Sequence, residues 1–117
     1  MKIKGIYVRV GEKPEVIEFE ETYQNLRALV EGDIQLVFLD DNTVIFCNLV
    51  GKLIGLEGNR ALDNGDIIAG NFIVVGDNGG EESISLTDEQ IDKYMKRFDK
   101  IEYYVNLSMI DDMEECL

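Results

Sequence analysis

The sequence predicts an α+β domain, a mixed, mainly antiparallel sheet of about six strands with two helices packed on it. Three observations carry that expectation. Residues 67–75 form a β-rich apolar run broken only by Gly70 and Asn71, the pattern of a strand buried on both faces at the centre of a sheet. Several other short segments alternate apolar and polar residues with period two. Two stretches, near 23–31 and 88–98, carry cap residues and apolar positions at helical spacing. A chain of 117 residues has room for one core. The expected organisation is a single α+β domain over 1–108 and an acidic tail over 109–117.

Taken in order, residues 3–10 read as a first strand, with Ile6, Val8 and Val10 on one face and Tyr7 and Arg9 on the other. Gly11, Glu12, Lys13 and Pro14 form a turn, because proline fixes φ and cannot donate to a ladder. Residues 15–20 then alternate strictly, with Val16, Glu18 and Glu20 on an acid-bearing, solvent-exposed face against Ile17 and Phe19. Thr22 can cap a helix over 23–31, carrying Leu26, Leu29 and Val30, with Gly32 suited to its C-terminal end. Residues 33–40 are mostly apolar and are expected to form a largely buried strand. Asp40, Asp41 and Asn42 turn the chain into a return strand over 43–50. Asn59, Arg60 and residues 63–66 are turn chemistry, so the loop 58–66 is expected to hang from the edge of the core.

The second helix has the best local signature. Thr87 and Gln90 are spaced for a capping box, with Leu86 and Ile91 placed to staple it. Ile91, Tyr94, Met95 and Phe98 line one face, and Asp92, Lys93, Lys96 and Arg97 the other. Residues 101–107 alternate again and predict a last strand. Leu26, Leu36, Phe46, Phe72, Val74 and Ile91 are the expected core.

Composition excludes several functions. The net charge of −13 argues against affinity for nucleic-acid backbones or anionic membranes, and permits an acidic surface offered to a basic partner. No apolar run is long enough to span a membrane and no secretory signal is evident, so a cytoplasmic protein is expected. The chain has no histidine, which removes the commonest general base, the Ser-His and Cys-His nucleophile systems and the usual zinc ligands. Cys47 and Cys116 match no metal spacing and read as two unpaired thiols. The acidic clusters at 63–66 and 77–82 read as solvated turns rather than calcium or magnesium sites. No phosphate or dinucleotide fingerprint is present. The chain is therefore expected to be no enzyme, with no cofactor, metal or catalytic residue.

Arg60 is the only basic residue between Lys52 and Lys93. It reads either as a surface arginine paired with Glu57 or Asp63, or as an anion-binding arginine in a glycine-loosened loop. Tyr103 and Tyr104 could offer stacking surfaces.

Gly32, Asp40-Asp41, Cys47-Asn48, Gly51-Lys52-Leu53, Gly55-Leu56, Asn59-Arg60-Ala61-Leu62, residues 66–70, Phe72, Val75-Gly76 and residues 85–90 compose an ordered pattern. It resembles an uncharacterised domain family common in phages, plasmids and conjugative elements of Firmicutes, and it covers residues 2–98. In size and setting that family is similar to small phage counter-defence proteins, including sponges that sequester the cyclic ADP-ribose-like signal of Thoeris immunity. The resemblance implies a non-catalytic protein that binds a nucleotide-derived immune signal. The pocket expected for it uses Asn59, Arg60, Phe72 and Tyr104, at the interface of a homo-oligomer. The alternative is an acidic, DNA-mimic inhibitor of a host nuclease, with a host defence protein as partner.

Overall fold

The computed structural model describes residues 2–39 and 42–104. The elements are β1 (Lys2–Val8), β2 (Glu15–Glu20), α1 (Tyr23–Val30), β3 (Ile34–Phe38), β4 (Thr43–Asn48), β5 (Gly58–Ala61), β6 (Ile67–Ala69), β7 (Phe72–Asp77), β8 (Ser83–Ile84) and α2 (Asp88–Arg97). The main sheet has six strands, in the order β2-β1-β7-β4-β3 with β8 added beside the end of β7. Each pairing among the described residues is antiparallel. The fold is thus α+β, as the alternation and caps predict.

The sheet is covered on both faces. Ile3, Phe19, Val44, Phe46, Ile73 and Val75 pack with Leu26 and Val30 of α1 on one face. Ile6, Val8, Ile45, Cys47, Phe72 and Val74 pack with Ile68 of β6 and Leu86, Tyr94 and Phe98 around α2 on the other. Successive residues of a strand point to opposite faces. The two central strands, β4 and β7, are therefore buried along nearly their whole length and lack polar alternation. Thr43 sits buried on β4, and its Oγ1 lies 3.0 Å from the Tyr94 hydroxyl in a hydrogen bond.

Both helix starts form as their residues dictate. The Thr22 side chain accepts from the Asn25 N–H at 3.0 Å. At α2 the Gln90 N–H donates to Thr87 Oγ1 at 3.1 Å and the Thr87 N–H to Gln90 Oε1 at 2.9 Å, a complete capping box. The left-handed residue that ends α1 is Glu31 (φ 62°), one position before Gly32.

Several expectations are corrected. The run 67–75 is two strands in two sheets. Gly70, at φ 86°, turns the chain after β6, so β6 pairs with β5 in a separate ribbon while β7 enters the main sheet. A residue with a Cβ would be strained at that φ, and its Cβ would lie 2.8 Å from Leu56 Cδ1. Asn59 and Arg60 are not loop residues but lie in β5. Residues 34–38 form an edge strand, so Leu36 is 47% exposed rather than buried, and Ile91 is only partly buried. Residues 101–104 form no strand. The rest of that expected strand, the Asp40-Asp41 half of the turn, Cys116 and the acidic tail lie outside the described residues.

Candidate functional site

Three of the four residues expected at a ligand pocket face the interior. Arg60 is fully buried. Its Nε donates to the Phe98 carbonyl at 3.1 Å, and its Nη2 to the Glu12 carbonyl at 2.8 Å. Nη1 donates to the Asn59 carbonyl at 3.2 Å and to Asn59 Oδ1 at 2.8 Å. The guanidinium thus ties β5 to the end of α2 and to the turn after β1, and it places a cation against the carbonyl end of that helix. Neither Glu57 nor Asp63 pairs with it; Asp63 takes Arg97 instead, at 3.0 Å. Burial draws the Arg60 pKa below its ordinary value, opposed by Glu102 and neighbouring groups. Arginine nonetheless stays protonated at neutral pH.

Asn59 is equally buried, and its Nδ2 donates to the Val8 carbonyl at 2.9 Å and the Gly70 carbonyl at 3.0 Å. Phe72 is fully buried and meets the Phe98 ring edge-on, with centroids 5.2 Å apart. Tyr104 stands apart from these. Its ring lies against Gly58, where a Cβ would sit 2.8 Å from Tyr104 Cβ, so only glycine allows this approach. Its hydroxyl bonds to Glu102 Oε1, and burial with that carboxylate beside it pushes its pKa up to about 12. Glu102 Oε1 also accepts from the Ala61 N–H at 3.0 Å. Asn59, Arg60 and Phe72 together form a structural clasp for the β5–β6 ribbon, with no surface left for a ligand.

The open surface lies elsewhere. A groove of about 430 Å³ runs over the α1 face of β3 and β4. Leu26, Leu36, Phe38, Val44 and Phe46 line its floor, and Glu21, Asp77, Glu81 and Glu82 line it with carboxylates. Among the described residues no lysine or arginine lines it. Tyr23 and Phe38 at its edges are 61% and 67% exposed, large apolar areas for solvent to bear. Glu21 Oε1 accepts from the Ser83 N–H at 3.1 Å, but its enclosed Oε2 receives no hydrogen bond from the described residues. A buried carboxylate oxygen without a donor is costly.

The groove is not legible in the sequence, because the apolar residues of β3 read as a buried strand. The signal that could have found it is β3 itself, Ile34-Gln35-Leu36-Val37-Phe38, which has no charged residue to guard it in solvent. Among the described residues no group of three or more cysteine or carboxylate side chains is placed to hold a metal ion. No described helix is long and apolar enough to cross a membrane.

No curated protein and no solved structure matches the chain. A family model does match, over residues 1–99, nearly the whole described domain. The chain belongs to that family, the domain of unknown function DUF3846.

Proposed function

We propose that the protein is a non-catalytic binding module that occupies a basic surface on a protein partner, as an acidic inhibitor of a host enzyme that acts on nucleic acid. The observation that carries this reading is the groove on the α1 face, with its apolar floor and four carboxylates and no cation among its lining residues. A surface that binds nucleic acid is rich in arginine and lysine, and it meets carboxylates as it would meet phosphates. The net charge of −13 adds long-range attraction for such a partner and repels nucleic acid itself. The apolar floor supplies burial that a purely electrostatic contact lacks.

Capture of a nucleotide signal has less support. Asn59, Arg60 and Phe72 are spent on internal contacts, and the groove presents carboxylates where a phosphate would need donors.

The test is inhibition of DNA cleavage by a panel of purified, basic DNA-binding nucleases, titrated with the protein at low and high salt. Inhibition that weakens with salt, and that is lost in the combined Glu21→Gln, Glu81→Gln, Glu82→Gln variant, is the expected result. Exposed charges are screened beyond about 8 Å at physiological ionic strength, so a flat salt dependence would count against the reading. No inhibition anywhere in the panel, together with calorimetric heat from a cyclic nucleotide, would replace it with the signal-capture reading.

A further inference from the structure

The two edges of the main sheet are built differently. β2 carries Glu15, Glu18 and Glu20 among its six residues, a charged edge that resists pairing with another chain. β3 carries no charge at all, and no described strand pairs with its outer side. Its hydrogen-bonding parity follows from the ends of the β3–β4 ladder. The Leu39 N–H donates to the Thr43 carbonyl at 2.9 Å, and the Leu49 N–H to the Asp33 carbonyl at 2.8 Å. Antiparallel pairs alternate, so Asp33, Gln35, Val37 and Leu39 bond to β4. The N–H and C=O groups of Ile34, Leu36 and Phe38 therefore point outward along the open edge.

Grooves flank this edge on both faces. The acid-lined groove lies on the face of Ile34, Leu36 and Phe38. On the other face, Val37 borders a groove of about 540 Å³ with Leu62, Tyr94 and Phe98, along which Lys93, Lys96 and Arg97 lie together with Asp63, the ion-pair partner of Arg97. The two faces thus differ in charge, and a strand laid against β3 would present alternate side chains to each.

The geometry points to β3 as a strand-addition site for an extended segment of a protein partner. That segment alternates basic and apolar residues, with lysine or arginine toward Glu21, Asp77, Glu81 and Glu82 and apolar side chains toward Leu62 and Val37. The basic stems cover Leu36 and Phe38 while their heads reach the carboxylates. Main-chain bonds to Ile34, Leu36 and Phe38 supply affinity, and the two unlike faces supply register. The inference rests on the acidic-surface reading above and adds the main-chain pairing to it. Charge also selects this occupant over a second copy of the chain, which would bring another −13 to an edge already lined with carboxylates.

The probe is a short labelled peptide alternating lysine and valine, with binding read by fluorescence anisotropy. Two further peptides carry N-methyl groups, one on the lysine amides and one on the valine amides. Strand addition uses only one of these two sets, so one methylated peptide should bind like the parent and the other about tenfold or more weakly. Leu36→Pro, which removes an outward N–H and leaves the bonds to β4, should weaken the parent peptide similarly. The methylated peptides keep the test valid even if that variant does not fold. Equal binding by all three peptides, with loss only in the Glu81→Gln, Glu82→Gln variant, would overturn strand addition and leave the acidic surface standing. No saturable binding of the parent peptide would overturn both. A dimer by light scattering that Leu36→Pro converts to monomer would show the edge taken by a second copy and would also overturn the proposal.

Discussion

Replacing Arg60 by methionine separates a structural arginine from a ligand-binding one. Methionine keeps most of the apolar stem and removes every donor. Four acceptors lose a partner: the Phe98 and Glu12 carbonyls and the carbonyl and Oδ1 of Asn59. A buried acceptor left without a donor costs about 1–3 kcal/mol, and hydrogen bonds to a charged group lie toward the upper end. Against this, the variant no longer holds a cation out of water, which offsets part of the loss. Asn59 can also re-form one bond locally. The net expectation is a loss of about 3 kcal/mol, a large effect for one substitution. In a domain of this size that lowers the melting midpoint by more than about 10 °C. Arg60→Lys should fall between the two proteins, because an ammonium group keeps the charge but not the planar fork that reaches three directions. Urea titration followed by circular dichroism and tyrosine fluorescence suits a chain with five tyrosines and no tryptophan. A change of under about 0.5 kcal/mol for Arg60→Met would refute the clasp. If the variant also lost heat on titration with a cyclic nucleotide, Arg60 would be a ligand residue after all.

Three other outcomes are expected. Thr87→Ala breaks the capping box and should cost about 1 kcal/mol, read as a lower urea midpoint with an unchanged slope; an unmoved midpoint would mean that Gln90 and Thr87 are not bonded in solution. Burial pushes the Cys47 thiol up to about 11, so at neutral pH it should resist iodoacetamide in the folded protein and react readily in urea, and equal rates in both conditions would contradict its burial. Burial alone would raise the Glu102 pKa, but hydrogen bonds from Tyr104 and the Ala61 N–H, with Arg60 and Arg97 nearby, hold it below its ordinary value. A depressed carboxylate stabilises the fold above its unfolded pKa and loses that contribution as pH falls through its folded pKa. Wild type should therefore lose stability as pH falls below the ordinary carboxylate range, and Glu102→Gln should flatten part of that loss; an identical acid limb in the two proteins would remove Glu102 from the account.

The groove and the clasp exchange the roles that the sequence suggests for them. A lone arginine among glycines and asparagines looks like a solvent-facing anion site. In the fold it lies between a helix end and a β-turn, whose carbonyls need its donors. The apolar residues of β3 look like core. In the fold they lie at a sheet edge, where half of them meet solvent. Each reversal depends on contacts far apart in the chain, such as Arg60 with Phe98 and with Glu12.

Sequence alone determined the local features: the caps at Thr22 and Thr87, the helices they start, the glutamate-bearing face of β2 and the α+β class. Each of these depends on residues within one turn of helix or on a two-residue period, so neighbours suffice to set it. The net charge is likewise a sum over residues that needs no fold. Only the tertiary structure decided the strand order, the break at Gly70 and the choice of β3 rather than β2 as the unguarded edge. It also decided that Asn59 and Arg60 are interior. An apolar strand reads the same at the centre of a sheet and at its rim, because periodicity reports which faces are apolar and not which neighbours cover them. Burial is a property of what packs against a residue, and for β3 and Arg60 that is set by partners tens of residues away in the chain.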